Sequence, residues 1–512
     1  MTIQLSFGTA GIRAKLGPGA DQINLYTVGG VLQAVCEHLL EQFPGAAAQG
    51  LCVGFDGRTQ SDLFAREVVR VASENGLRVR AFETPVPTPL LAFCTRLHKA
   101  VAGIMITASH NPPADNGIKL YLQGGVQVSA PHEAAIARRI AAFERRDPAV
   151  RAASSGSHEV LGEREVEAYL DAIEKLVSSV PLAFPPFAYS ALCGVGGAVT
   201  RRLFSRLGAH NVHEVEAQAE PRADFGGLSQ PNPEHASALS LLLQRATETG
   251  VNLAFAHDPD ADRLAVIARD RHGALRALSG DEVGALLGDF LLRGEPEPSR
   301  ALFVSTLVSG QLLEHIASEK GAHFARTPTG FKWIAARARR LEQSDRLRFV
   351  LGYEEAIGYA FGSMADDKDG IAALAVMLEL ARRLHASGET LCTRLDALAT
   401  AYGVFATRQL TVPRGESGGG LDLMSRLRAV DPEAFFGAGS TRIDYAREPE
   451  AVELLVFQRP NGSRLCVRPS GTEPKVKLYL HARAEVKDNQ LDEAERAATV
   501  ELNALESLAR TV

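Results

Sequence analysis

Short apolar runs of β type alternate with longer segments of helical periodicity along most of the chain, and this rhythm restricts the fold more than any other feature of the sequence. Such alternation reads as βα units around largely parallel sheets. Leu51–Phe55 and Val101–Ile106 are expected as buried strands in the first third, with helical segments between them. Glu163–Val180 is expected as a helix, and the proline-containing stretch after it as a boundary. Further strands are expected at Val251–Ala256, Leu264–Ala268, Ala301–Ser305 and Phe349–Gly352, with helices near Glu282–Leu292 and Gly370–Ala386. From about Asp396 the pattern changes to α+β, with strands at Ala451–Phe457, Arg464–Val467 and Val476–Leu480 before a terminal helix. At 512 residues the chain exceeds one hydrophobic core, and roughly one domain per 150 residues gives three or four. The pattern divides into four: residues 1–180, 181–274 and 275–395 as α/β domains, and 396–512 as a smaller α+β domain.

Composition removes several classes of function. The net charge of −6 comes without a basic block, which leaves no electrostatic footprint for nucleic acid or an acidic membrane. There is no apolar run of about 18 residues, and the first residues carry neither a secretory pattern nor a lipidation motif, so a cytoplasmic protein is expected. Six scattered cysteines lack C-x-x-C spacing, which argues against zinc or a disulfide framework and for reduced, buried thiols. The expected partner is a small molecule held by local charge.

Five segments place polar groups at strand ends or in tight turns, where an open α/β sheet exposes its ligands. Thr107–Pro112 follows Val101–Ile106 and presents Ser109; a serine needs activation to act as a nucleophile, and His110 and Lys119 are the nearby candidates. An ordinary Ser/Asn turn is the competing reading. In Asp258-Pro259-Asp260-Ala261-Asp262-Arg263, alternate carboxylates on a kinked loop can face one side and offer hard oxygen ligands to Mg²⁺. An EF-hand is excluded, because Arg263 stands at the sixth position where that loop requires glycine. Gly352–Gly358 sets Glu354 and Glu355 among glycines, suited either to sugar hydroxyls or to the start of a helix. Arg468–Lys475 combines a guanidinium, an ammonium and a Ser-Gly-Thr turn, a cradle for a phosphate dianion. Gly8–Arg13 is the fifth segment, and Thr327–Lys332 forms a smaller cluster.

Together, Phe7–Arg13, Thr107–Pro112, Asp258–Arg263, Gly352–Gly358 and Arg468–Lys475 resemble the α-D-phosphohexomutases, in order and approximate spacing over essentially the whole chain. Phe7–Arg13, Gly352–Gly358 and Asp367–Gly370 are most similar to the branch that includes the second type of phosphoglucomutase and the phosphopentomutases. The resemblance implies three related α/β domains and a fourth α+β domain around a cleft. It implies a phosphoserine at Ser109, with Mg²⁺ held by Asp258, Asp260, Asp262 and the serine phosphate. Arg263 would bind the transferring phosphoryl group, and Lys119, His110 or Arg13 would handle the proton. Thr329, Glu354 and Lys368 match substrate contacts, with Gly330, Lys332, Glu355 and Ala356 in the same loops; Arg468, Ser470, Gly471, Thr472 and Lys475 match the site of the non-reacting phosphate.

The implied reaction is interconversion of hexose 1-phosphate and hexose 6-phosphate, of glucose or mannose, with a sugar 1,6-bisphosphate as intermediate and activator. Two departures leave a pentose phosphate as the alternative: Ala356 where many glucose-type members have serine, and Phe331-Lys332 where some dual-specificity members have histidine after the glycine. A serine phosphatase and a non-catalytic sugar-phosphate binding protein are more remote readings.

Overall fold

The structure is a computed structural model that describes residues 2–143, 158–177, 182–362, 364, 366–413, 419–448, 451–469 and 475–510. Its four sheets follow the four-domain division of a mixed α/β chain. In the first, strands run in the order Ile12–Lys15, Asp115–Leu122, Ala102–Ile106, Leu51–Phe55, Val79–Phe82, Glu159–Leu161. The pairings from Ala102–Ile106 to Glu159–Leu161 are parallel, and Asp115–Leu122 returns antiparallel beside the strand that precedes the serine loop. Ala102–Ile106 and Leu51–Phe55 are buried at every position, as expected of strands covered by helices on both faces.

The second sheet has the order Leu275–Ala277, Leu264–Arg269, Leu253–His257, Phe187–Ser190, Val212–Glu214. In the third, His323–Thr327, Ala301–Thr306 and Arg348–Glu354 are parallel, and Gly358–Phe361 closes an antiparallel hairpin. The fourth is wholly antiparallel, Val404–Pro413, Lys475–Ala484, Arg464–Pro469, Leu455–Gln458, Thr441–Asp444, and is covered by the helix Leu491–Ala509.

One helix packs against elements from several parts of the chain. Gly370–Ala386 packs against helices Glu163–Glu174, Gly196–Leu207 and Gly280–Arg293, and 14 of its residues are buried. A helix apolar on all sides belongs in a core, and its N-terminus is capped by Asp369, which accepts from Ala372 N at 2.8 Å. Gly280–Arg293 is started by a reciprocal cap between Ser279 and Glu282.

Several elements differ in their bounds from the sequence expectation, among them the last strand, which runs Lys475–Ala484 where Val476–Leu480 is expected. The helix beginning at Glu163 ends at Glu174 with Lys175 as its cap, short of Val180; residues 178–180 lie outside the described residues. The strand expected from Ala451 begins at Leu455, because Val452 N bonds to Tyr445 O in a turn. The strand expected to end at Gly352 continues to Glu354, where Gly352, Tyr353 and Glu354 pair with Ala360, Tyr359 and Gly358. All six cysteines are free and buried, and among the described residues no helix is long and apolar enough to cross a membrane.

The aspartate loop is seated against a second loop of its own domain at Gly194, where a Cβ would lie 2.5 Å from the Cα and carbonyl oxygen of Pro259. Val195 N also bonds to Pro259 O at 2.8 Å. Gly194→Ala is therefore expected to destabilise the protein by about 1–3 kcal/mol through overpacking. A thermal unfolding curve superimposable on that of the unsubstituted protein would show the loop to be yielding.

Candidate functional site

Ser109, Asp258 and Glu354 lie at the C-terminal ends of strands that have parallel neighbours, the edge at which open α/β sheets bind ligands. Ser109 follows Ala102–Ile106 and sits with φ +52°, 1% exposed. Thr107 Oγ1 accepts from its amide at 2.8 Å, and its own Oγ donates to Asp258 Oδ2 at 2.9 Å across 149 positions of sequence. The three aspartates are fully buried or nearly so, and a carboxylate oxygen from each lies within 4.8 Å of the others. Ala261, between two of them, has φ +58°. Thr88 of the first domain fixes Asp260 twice, donating from its hydroxyl at 2.6 Å to Oδ2 and from its amide at 3.0 Å to the carbonyl.

The electrostatics of this cluster are strongly coupled. Lys119, on the strand Asp115–Leu122 and 1% exposed, donates to Asp260 Oδ2 at 2.6 Å and to Asp262 Oδ2 at 2.7 Å. Burial opposes its charge, but the two carboxylates outweigh burial and raise its pKa, so it is an ammonium. Burial likewise opposes ionisation of Asp260, and Lys119 overcomes it, leaving that carboxyl below its ordinary range. Burial, with Asp262 and Asp260 adding to it and Arg263 and Lys119 opposing, holds the Asp258 carboxyl well above the usual range. Burial, then Arg263 and Arg13, holds the His110 imidazole well below its usual value.

Among the described residues, the buried Asp260 Oδ1 and Asp262 Oδ1 have no hydrogen-bond partner. Buried carboxylate oxygens without donors are costly, and two of them beside Asp258, all hard oxygen atoms, fit a Mg²⁺ ion.

Of the other expected residues, some lie beside this centre and some do not. Arg13 Nη1 donates to Asn111 Oδ1 at 2.9 Å. Arg263 pairs with Glu234 at 2.8 Å, while its backbone N donates to Asp258 Oδ1 at 3.0 Å. Lys368 Nζ lies 3.3 Å from Asp262 Oδ2 and over the Phe331 ring. Glu354 Oε1 accepts from Gly330 N at 2.7 Å, and burial pushes its carboxyl up to about 7, with Lys368 opposing and Glu355 adding. Glu355 begins no helix: it stands in the hairpin turn before Ile357, and its Oε2 accepts from Ser309 Oγ at 2.9 Å and Thr306 Oγ1 at 3.0 Å. Thr329 and Ala356 are half-buried in these loops, and Thr9 of the first domain approaches Gly330. Lys332 points instead to Glu133 of the first domain, at 2.6 Å. Arg468 and Lys475 stand on two neighbouring antiparallel strands of the fourth domain, Arg464–Pro469 and Lys475–Ala484; Ser470, Gly471 and Thr472 lie outside the described residues.

Several residues of the site went unnoticed in the sequence: Thr88, Glu234, and the pair Asp56 and Arg58, which directly follows the strand Leu51–Phe55. The last pair carried the same signal as Ser109, polar groups at the end of an apolar strand.

Comparison with known proteins shows the family of the chain. Models of the phosphoglucomutase/phosphomannomutase α/β/α domains I, II and III match residues 4–147, 167–273 and 279–402, and the C-terminal domain model matches 432–498. A probable phosphomannomutase of Haemophilus influenzae is 34% identical over 85% of this chain and 88% of its own length. A human phosphopentomutase is 32% identical over 93% of this chain and 84% of its own length. The crystal structure of a phosphoglucomutase/phosphomannomutase family protein from Burkholderia thailandensis superposes with a TM-score of 0.73, 21% identity, and 97% of each chain covered.

The unpartnered oxygens of Asp260 and Asp262 lead to a direct expectation. Mg²⁺ at a hundredfold excess over its Kd should stabilise the metal-free protein by about 2.7 kcal/mol, read as a rise in unfolding temperature. Asp260→Asn should abolish most of that rise, and an unchanged response in this variant would place the ion elsewhere.

Proposed function

We infer the reaction from one premise: the chain belongs to the phosphoglucomutase/phosphomannomutase family, whose members are intramolecular phosphotransferases. Our reading is a cytoplasmic, Mg²⁺-dependent mutase that interconverts hexose 1-phosphate and hexose 6-phosphate, of glucose or mannose, through phospho-Ser109 and a sugar 1,6-bisphosphate. The domains on this reading end near residues 180, 274 and 395. The observation that carries it is the 2.9 Å hydrogen bond from Ser109 Oγ to Asp258, inside a buried cluster with Asp260 and Asp262.

Phosphoryl transfer asks a protein chiefly for positioning and charge neutralisation. In the first half-reaction the free hydroxyl of a sugar monophosphate attacks the phosphorus on Ser109. A new P–O bond forms to the sugar and the P–Oγ bond breaks; of Lys119, His110 and Arg13, which handle the proton, the uncharged His110 can take it from the sugar hydroxyl and the Lys119 ammonium or Arg13 guanidinium can give one to the departing Oγ. The bisphosphate turns end for end, and its other phosphate returns to Oγ with the bond changes reversed, so the activator is not consumed. Asp258, Asp260, Asp262 and the serine phosphate would hold Mg²⁺, which would supply positive charge to the transferring oxygens. Arg263 adds a guanidinium on the same side. Glu354 and Lys368 hold sugar hydroxyls, with Thr329, Gly330, Lys332, Glu355 and Ala356 shaping their loops, and Arg468 to Lys475 holds the phosphate that is not reacting.

A second reading, a mutase of pentose 1- and 5-phosphates, is favoured by Ala356, which offers no hydroxyl to a hexose, and by the phosphopentomutase among the relatives. A panel of hexose and pentose 1-phosphates, each with its bisphosphate, separates the two by kcat/KM.

Active protein is expected to carry one phosphoryl group on Ser109 by intact mass, and Ser109→Ala to lose turnover. Normal turnover in that variant would end this reading. Glu354 adds a pH signature, since it is neutral below about 7 and charged above. If its carboxylate accepts from sugar hydroxyls, KM should rise as the pH falls through about 7. Glu354→Gln should flatten that limb and leave only the titration of the substrate phosphate.

A further inference from the structure

We propose that Arg58 is a positioning residue for phosphoryl transfer: it holds the serine loop in the one backbone conformation that turns Ser109 Oγ toward Asp258. The proposal rests on the reading of Ser109 as the phosphoryl carrier.

Arg58 follows the strand Leu51–Phe55, the parallel neighbour of Ala102–Ile106, so two adjacent strand ends bring it against the serine loop. Its guanidinium donates to four carbonyl oxygens of that loop: Ser109 at 2.5 Å, Asn111 at 2.7 Å, Pro112 at 2.8 Å and Asp115 at 2.9 Å. Nε pairs with Asp56 Oδ2 at 3.2 Å, and the Arg58 side chain has no exposed surface. Asp56 is itself held, since its Oδ1 accepts from Arg58 N at 3.0 Å and from Ser61 Oγ at 2.7 Å. The free face of the guanidinium lies 4.8 Å from the centroid of Phe225, which comes from the second domain.

The loop needs such a clamp. Ser109 has φ +52°, and a left-handed conformation costs a non-glycine residue about 1–2 kcal/mol. Carbonyls turned inward without a donor would cost about 1–3 kcal/mol each. A planar guanidinium meets four of them at fixed spacing, whereas a lysine ammonium offers three donors on a flexible stem. Because its Nη donors are spent on carbonyls, Arg58 acts on the phosphoryl group through the position of Ser109. Phe225 extends this alignment across the domain boundary, for the second domain also carries Asp258, Asp260 and Asp262.

The test compares full-length Arg58→Lys, Arg58→Ala, Phe225→Leu and Ser109→Ala. Misplacement of a reacting group by about 1 Å costs on the order of 10²-fold in rate, so Arg58→Lys should lose about that much kcat. Its KM for the sugar phosphate should stay within about threefold, the pattern of an interaction that matters in the transition state. Phospho-Ser109, followed by intact mass, should lose its phosphoryl group to water faster than in the unsubstituted protein. Added guanidinium should partly restore kcat in Arg58→Ala and leave Ser109→Ala inactive. Wild-type kcat and phosphoryl retention in Arg58→Lys, or a loss confined to KM, would overturn the proposal. Should the Arg58 variants fail to fold, Phe225→Leu keeps every hydrogen bond of the clamp and is expected to lower kcat several-fold at unchanged KM; wild-type kcat there would overturn it equally. An active Ser109→Ala would instead remove the mutase reading, whereas an inactive one beside a fully active Arg58→Lys removes the positioning role alone.

Discussion

A single buried ammonium determines how the first two domains meet. Lys119 stands between Asp260 and Asp262 at 2.6 and 2.7 Å, with every partner 1% exposed or less. Two unit charges 4 Å apart interact by about 4 kcal/mol at an effective dielectric of 20, so three aspartates of one loop repel one another unless cations intervene. Lys119 supplies one from the first domain, and Lys368 supplies another from the third. Removing one partner of a buried pair costs about 3–5 kcal/mol because the other charge is stranded. The same contact therefore joins domains and makes the carboxylate cluster tolerable. The two oxygens it leaves without donors, Asp260 Oδ1 and Asp262 Oδ1, are the atoms a divalent cation would take.

Strain accompanies this concentration of charge. Ser109, Ala261 and Ile357 all have positive φ, and each belongs to a different loop of the site. Backbone of this kind costs about 1–3 kcal/mol per residue and persists only where its surroundings over-determine it. Each position has its own restraint. Arg58 clamps the first, and Thr88 with the close seat at Gly194 fixes the second. The third is held by Leu264 N on Ile357 O at 3.1 Å and by the bridge between Arg263 and Gly358. Since Leu264 and Arg263 belong to the second domain and Ile357 to the third, restraint again crosses a domain boundary.

Much of this was legible in the sequence because it depends on local pattern. Leu51–Phe55 and Ala102–Ile106 read as continuous apolar runs because both sheet faces are covered. The serine and aspartate loops stood out because polar residues end those runs. Pairings that close through space left no local trace: Arg263 with Glu234, or Thr88 with Asp260 across 172 positions. Arg58 obeys the same strand-end rule, yet Asp-Gly-Arg reads equally well as a solvated turn. The strand through Glu354 looked shorter than it is because Gly352 and two glutamates mimic a loop; the hairpin to Gly358–Phe361 that sustains it is a tertiary contact. Lys332 matched a substrate loop by its neighbours, yet its ion pair with Glu133 depends on where the first domain lies.

At the seam between the third and fourth domains one residue, Ser309, links the loop of Glu355 to Arg464. Ser309 donates from Oγ to Glu355 in the proposed sugar loop, and its carbonyl accepts from Arg464 of the fourth domain and from Arg326 at 3.2 Å. Around it, Leu307 and Val308 pack with Leu454, Val456, Cys466 and Tyr479, and Arg464 is buried. Arg464 lies on the strand Arg464–Pro469 that leads to Arg468 and the proposed phosphate cradle. A fourth domain swinging away from the cleft would have to leave the carbonyl of Ser309 while its hydroxyl stays with Glu355. Packed interfaces of this kind tend to occupy discrete arrangements instead of deforming continuously. The bond from Arg464 to Ser309 is accordingly the point at which the position of the phosphate cradle meets the residues that hold the sugar loop.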